Sequence, residues 1–569
     1  MILKIKCLIL STLIFNTVNS FPQFTITKSN DDLFPLSIIH VNDFHARFEE
    51  VDPWGGPCKS GSQCVGGYSR VVYKIKELKE IRKDKNPIYL DAGDNFQGTL
   101  WYNIGRWNVT QEFLNYLPAD AITIGNHEFD NDIEGLVPFL EALKAPVVVA
   151  NIDDSKEPTI HNLYNKSVVI EKSGRKIGII GVILESTNEI SNTGKLIFLN
   201  ESISVKEEAE ILKSKGVNIV IVLSHCGYDV DQIIAKNVGP DVDVIVGAHS
   251  HTFLYSDSQL PGPDKPRGPY PTLVTQEDTN HTVLILQASA YSKYVGDLTV
   301  YFDKKGIFQY FEGQPHYINS EVPKDPFIEK ALKPWKSIID TRGNELIGYT
   351  AVELTKSDCG SGECNLGNMF SDALVYEGLS LPVSNSNYWA NASIAIANQG
   401  SLRIPLEKGN LTYSHLVTLS PFENKLEVLS IKGKYLLQAL EHSVYSANHL
   451  SPLSCAIDND EVNFNFRNML QVSGMKIVYD LNKPDDQRVQ SVLIRCWECQ
   501  IPRYNKLEED ETYRIITTSF VADGGDGYSM IKENKFDTSE FSSDVEAVTN
   551  YVRHNSPITT GKEGRIRFV

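Results

Sequence analysis

Seven short runs of β-branched residues, each followed by a polar stretch long enough for a helix or turn, occupy residues 37–247. They are SIIHV (37–41), PIYLD (87–91), AITI (121–124), PVVVA (146–150), KIGIIGVI (176–183), NIVIVL (218–223) and DVIVG (243–247). Strand-like runs alternating with helical stretches point to a layered α/β fold. At 569 residues the chain is too long for one core, so a second folded domain is expected. The Gly- and Pro-rich segment 261–271 reads as a long surface loop. At Asp325-Pro326-Phe327 the pattern places a helix start, with Asp as N-cap and Pro in the first turn. Phe327, Ala331, Trp335 and Ile338 recur at helical spacing and predict its packed face, with a kink at Pro334. The expected layout is a leader over 1–20, a layered α/β domain over 36–320, a connector helix over 325–345 and a mixed α/β domain over 346–569.

Five of the seven runs lead into metal-ligand residue types. SIIHV precedes Asn42-Asp43-Phe44-His45, PIYLD precedes Ala92-Gly93-Asp94, and AITI precedes Gly125-Asn126-His127-Glu128-Phe129-Asp130. NIVIVL precedes Ser224-His225, and DVIVG precedes Ala248-His249-Ser250-His251. Residues at the carboxyl ends of adjacent strands converge on one sheet edge, where α/β folds place their sites. A single His at a strand end is more often a hydrogen-bonded structural residue. Five such ends in one domain would each leave polar groups that cost about 1–3 kcal/mol if buried unsatisfied. A shared pair of cations satisfies all of them together.

Acidic residues outnumber basic ones by 72 to 54, a formal charge of −18. Such a surface repels a nucleic-acid polymer but tolerates a small anion when metal ions supply local positive charge. The first twenty residues, two lysines followed by a short apolar run ending in Val18-Asn19-Ser20, have the order of a secretory leader. The C-terminal GKEGRIRFV lacks the hydrophobic tail of a lipid-anchor signal, so no membrane anchor is expected. Close cysteine pairs in an exported chain suggest small disulfide loops: Cys58 with Cys64, Cys359 with Cys364, and Cys496 with Cys499. Cys226 and Cys455 are left over. Asn108, Asn165, Asn200, Asn280, Asn391 and Asn410 each begin a glycosylation sequon.

The segments HVNDFHARFEE, LDAGDNFQG, GNHEFD, LSHCGYD and GAHSHTFLY resemble the calcineurin-like metallophosphoesterases, more specifically the 5'-nucleotidase family with its secreted apyrases. The resemblance continues through ECNLGN, NQGSLRIPL, SPFENKLEVLSIKG and FVADGGDGYSMI. It implies that Asp43, His45 and His251 hold one divalent ion, that Asn126, His225 and His249 hold a second, and that Asp94 bridges both. Imidazole and carboxylate ligands suit zinc, with manganese, calcium and magnesium as alternatives. Two such ions acidify a water and polarise phosphoryl oxygens. The resemblance makes His127 a stabiliser of the transferring phosphoryl group, with Asp130 orienting its ring. Phe422 and Phe520 match a base-stacking pair, Asp526 a ribose-binding carboxylate, Asn398 a polar contact to the base and Arg403 a phosphate-binding arginine.

The chain departs from the family where a second phosphate-facing arginine is replaced by Gly362. A nucleoside monophosphate offers few phosphate contacts and suffers most from that loss. The expected activity is therefore an apyrase converting ATP and ADP to AMP, ahead of a 5'-nucleotidase acting on AMP. The family resemblance adds an anti-platelet role in the saliva of a blood feeder. An inactive nucleotide-binding scavenger is the alternative of another class, disfavoured because every presumptive ligand is present. A phosphodiesterase would share the metal domain but not the paired phenylalanines. A monomer is expected, with a dimer as the alternative.

Overall fold

Strand Phe34–Val41 runs parallel to Ile88–Asp91, which runs parallel to Ala121–Ile122. Tyr294–Phe302 adds antiparallel on the other side of Phe34–Val41 and carries Phe308–Glu312 beyond it. A second six-stranded sheet has Arg175–Ile183, Ile219–His225 and Val244–Gly247 parallel at its centre. Thr282–Leu286 extends it in parallel, and Ser167–Lys172 and Thr272–Thr275 are antiparallel edges. This is a computed structural model describing residues 33–58, 61, 63–383, 388–446 and 465–569. The expected leader over 1–20 and Cys455 lie outside the described residues.

The two sheets pack face to face. Leu36, Ile38, Leu90 and Leu298 of the first share one buried cluster with Ile179, Ile221, Ile245 and Ile285 of the second. Alternate residues Ile39, Tyr89 and Val295 point the other way, onto Val71, Ile75 and Leu78 of helix Tyr68–Ile81. Helices Glu201–Ser214 and Tyr228–Asn237 cover the outer face of the second sheet through Val205, Leu212 and Ile234. The order is helix, sheet, sheet, helix. Strands apolar on both faces read as continuous β-branched runs, which is why composition alone marked them.

The run PVVVA forms no strand. The Val148 amide donates to Ile122 of the first sheet, whereas the Ala150 amide donates to Gly181 of the second. A segment bonded in turn to both sheets stitches them together and cannot make a ladder with either.

The connector helix spans Pro326–Gly343, and the Asp325 carboxylate accepts from the Phe327 and Ile328 amides at 3.0 and 3.1 Å. It runs unbroken through Pro334. Of the expected packed face, Ala331 and Trp335 do pack on the first domain, but Phe327 and Ile338 are corrected. Ile328, Leu332 and Ile339 are buried, while Phe327 and Ile338 are 55% and 54% exposed. Apolar residues stand at both candidate positions in this helix, and packing against the metal-ligand domain selects between them.

Beyond the helix, Leu470–Ser473, Ala395–Asn398, Thr512–Thr518, Lys425–Lys432 and Phe536–Ser543 form a five-stranded sheet in that order. Met475–Tyr479 belongs to a separate four-stranded sheet. Helices Asn365–Gly378 and Asp544–Asn555 pack on the five-stranded sheet. All three expected disulfides are formed, and Cys226 is a buried free thiol. Five of the six sequon asparagines are exposed and Asn391 is half-buried. Among the described residues no helix is long and apolar enough to cross a membrane.

Candidate metal centre

The ligand-type residues leave the carboxyl ends of five strands, but from two sheets rather than the single sheet edge expected. Asp43, His45, Asp94 and Asn126 follow neighbouring strands of the first sheet; His225, His249 and His251 come from adjacent strands of the second. Both sheets present the same end, so seven side chains converge. Five of them, Asp43, His45, Asp94, His249 and His251, have φ between 51° and 69°. Non-glycine residues avoid that region unless surrounding contacts impose it, and such strain clusters at functional sites.

Asp43, His45 and His251 bring one ligand atom each within a single coordination sphere, and Asp94, His225 and His249 form a second such group. Asp94 Oδ2 lies 3.1 Å from His225 Nε2 and 3.7 Å from His45 Nε2, between the two groups. His251 Nε2 is 3.5 Å from Asp43 Oδ1, and Asn126 Oδ1 is 2.9 Å from His249 Nδ1.

The donor set fits divalent ions. His225 Nδ1 is committed to the Ala92 carbonyl at 2.8 Å, which leaves its fully buried Nε2 aimed at Asp94 without a hydrogen bond. His45 and His251 face each other Nε2 to Nε2 at 3.0 Å. Burial holds the His45 ring well below its ordinary value and lowers His249 to about 4. Both are therefore in the neutral form that ligates metal.

His127 sits on the rim of this cluster. Its amide donates to Asp94 Oδ1 at 3.0 Å, and its Nδ1 lies 2.7 Å from Asp130 Oδ2. Burial opposes charge on the ring, yet Asp130 and Asp94 push it up to about 9.

Sequence reasoning passed over the residues that hold the ligands in place. The Glu128 carboxylate accepts from four backbone amides, those of Gly125, Asn95, Asp94 and Phe96, at 2.6–3.1 Å. It thereby ties the Asp94 loop to the Asn126 loop. Asn42 Nδ2 donates to Asp43 Oδ2 at 2.7 Å and to the Ser289 carbonyl at 2.6 Å. The half-buried Arg47 guanidinium donates to the His45 and Gly98 carbonyls and lies 4.6 Å from the Tyr291 ring centre. A carboxylate inside a ligand motif reads as another ligand, so Glu128 carried no separate signal.

The second domain closes over the site. A cleft of about 250 Å³ is lined by Asn126, His127 and Asp130 from one side and by Asn398, Arg403, Phe422, Phe520 and Asp526 from the other. All five substrate-binding candidates are thus brought together beside the metal-ligand cluster. The Phe422 ring lies parallel to His127 at 6.2 Å, and the Arg403 guanidinium is 5.5 Å from the Phe422 ring centre. Asn398 donates to Asp526 Oδ2 at 2.6 Å and accepts from Ser401 Oγ at 2.6 Å. Gly362 has a local reason to be glycine: φ is 147°, and a Cβ would meet the Phe568 ring at 2.9 Å.

Two family models match the chain, calcineurin-like phosphoesterase over residues 36–253 and 5'-nucleotidase, C-terminal domain over residues 346–533. The chain is 48% identical over 537 residues to a Tabanus yao protein named apyrase, covering 94% of each. It is 35% identical to a Bos taurus 5'-nucleotidase, covering 94% of this chain and 91% of that one. Among solved structures, a 5'-nucleotidase precursor from Thermus thermophilus superposes with a TM-score of 0.72 at 34% identity. That match covers 94% of this chain and 99% of that one.

Proposed function

Because the chain belongs to the 5'-nucleotidase family of calcineurin-like phosphoesterases, metal-dependent nucleotide phosphohydrolases, we propose that its reaction is that of an apyrase. It releases the terminal phosphates of ATP and ADP and leaves AMP. The observation that carries this reading is the cleft in which Arg403, Phe422, Phe520 and Asp526 meet His127 and the candidate ligand Asn126. The identity to a relative named apyrase exceeds that to a relative named 5'-nucleotidase, which supports the chain-length preference.

Asp43, His45 and His251 would hold one ion and Asn126, His225 and His249 the other, with Asp94 shared. We assign zinc to both, since imidazole-rich sets favour it. When bound, two divalent ions supply Lewis acidity toward phosphoryl oxygens. His127, charged by its partners, donates to the phosphoryl group as negative charge builds, and Asp130 holds its ring. Arg403 engages the phosphates, Phe422 and Phe520 stack the base, and Asp526 takes the ribose hydroxyls. Asn398 presents its polar edge to the base while holding Asp526.

In this reading residues 1–20 are a secretory leader, 36–320 the catalytic domain, 325–345 the connector and 346–569 the nucleotide-binding domain. Three disulfides and exposed sequon asparagines accord with export. Export would let the enzyme remove extracellular ADP, the platelet agonist.

A phosphate-release panel tests the proposal, using ATP, ADP, AMP and a UDP-sugar with zinc, calcium or magnesium. The expected result is release from ATP and ADP with AMP accumulating. AMP turnover at a rate comparable with ADP overturns the apyrase reading in favour of a 5'-nucleotidase.

A further inference from the structure

Helix Leu100–Leu114 is interrupted at Arg106, where φ is 53° and ψ −151°. In the second domain Glu423, between Phe422 and Asn424, also has a positive φ of 53°. Neither arginine nor glutamate adopts such backbone without compensation. These two side chains pair with each other, joining the domains. The Glu423 side chain is only 10% exposed and Arg106 35%, so the pair is largely shielded from solvent.

The same helix grips the segment a second time, through Asn103 Nδ2 to the Pro421 carbonyl at 2.8 Å. Phe422 stands between the two grips and faces His127. Arg106 also reaches the metal-domain side, with Nη1 3.3 Å from Asn131 Oδ1, which accepts from the Tyr102 hydroxyl at 2.5 Å. Asn131 directly follows Asp130, the partner of His127. One guanidinium therefore spans the segment carrying Phe422 and the segment carrying the His127–Asp130 pair.

We propose that Arg106 and Glu423 are positioning residues, a clasp that sets Phe422 against His127 and so registers the nucleotide base to the reacting phosphate. The proposal rests on the base-stacking role given to Phe422. It predicts that the clasp matters for nucleotides and not for a phosphate ester without a nucleoside.

The test uses the full-length, metal-loaded protein with ADP and, as an ester without any aromatic ring, glycerol phosphate. Arg106→Gln and Glu423→Gln are expected to raise KM for ADP by about tenfold, the scale of a small misplacement. Turnover of glycerol phosphate should stay within about twofold, since it has no ring to stack. The double variant should be no worse than either single, because the two act as one unit. Glu423→Gly relieves the backbone strain, so its melting temperature should not fall although KM for ADP still rises. Unchanged ADP kinetics, additive effects in the double variant, or a parallel loss on both substrates each overturn the clasp. Failure of the apyrase reading shows separately, as AMP preference in the unmutated protein; the clasp is then read on AMP, which carries the same base.

Discussion

The Nε2 atoms of His45 and His251 face each other at 3.0 Å, with Asp43 Oδ1 3.5 Å from the second. At that distance one ring must carry its proton on Nε2 and donate it to the other; a divalent ion would replace that proton and take both lone pairs. Stripping the ions with a chelator should therefore abolish phosphate release and lower the melting temperature together. A site filled at 100 times its Kd contributes about 2.7 kcal/mol. Calorimetry with and without chelator, followed by zinc, checks this; identical melting curves would contradict it.

Phe422 and Phe520 line the same cleft as Asp526. If both stack the base, Phe422→Ala and Phe520→Ala each remove about 1–3 kcal/mol of binding. Titration calorimetry of ADP binding, with Asp94→Asn protein to suppress turnover, should show that loss. An unchanged Kd in either variant would assign that ring to the core instead.

Glu128 satisfies four buried backbone amides that frame two ligand loops. Glu128→Ala strands them, at about 1–3 kcal/mol for each donor left unsatisfied. The expected outcome is a large fall in melting temperature and weaker metal binding, with Glu128→Gln intermediate because one acceptor oxygen remains. Zinc titration against a competing chelator measures the second effect. Wild-type affinity in the alanine variant would refute the framing role.

Burial pushes the Asp243 carboxyl up to about 7, with Lys213 and the Val220 amide opposing. An unfolded aspartate titrates near about 3.9, so the folded state binds its proton more tightly. Its contribution to stability is full below about pH 4 and is lost as pH rises through about 7. The carboxylate accepts a hydrogen bond from the Val220 amide at 2.9 Å, and an asparagine can keep it. Asp243→Asn should be nearly neutral at pH 5 and raise the melting temperature by about 2–4 °C at pH 8. A gain of equal size at both pH values would place the effect elsewhere.

The convergence of the candidate ligands was legible because each sits beyond the end of a strand run, and doubly buried strands announce themselves as unbroken apolar runs. That the ligands come from two sheets was not legible, since strand pairing is a long-range choice. PVVVA has strand composition, but its amides are divided between the sheets. The connector helix carried apolar residues on two overlapping faces, and only its neighbours decide between Phe327 and Ile328. Arg106 lies inside a helical pattern that gives no sign of its broken backbone; its partner Glu423 is 317 positions away.

The stitching of the two sheets by residues 146–150 has a consequence for how activity arises during synthesis. The candidate ligands run from position 43 to position 251 and come from both sheets, so no shorter N-terminal piece brings all seven together. A growing chain stays hydrolytically silent until the second sheet has docked on the first.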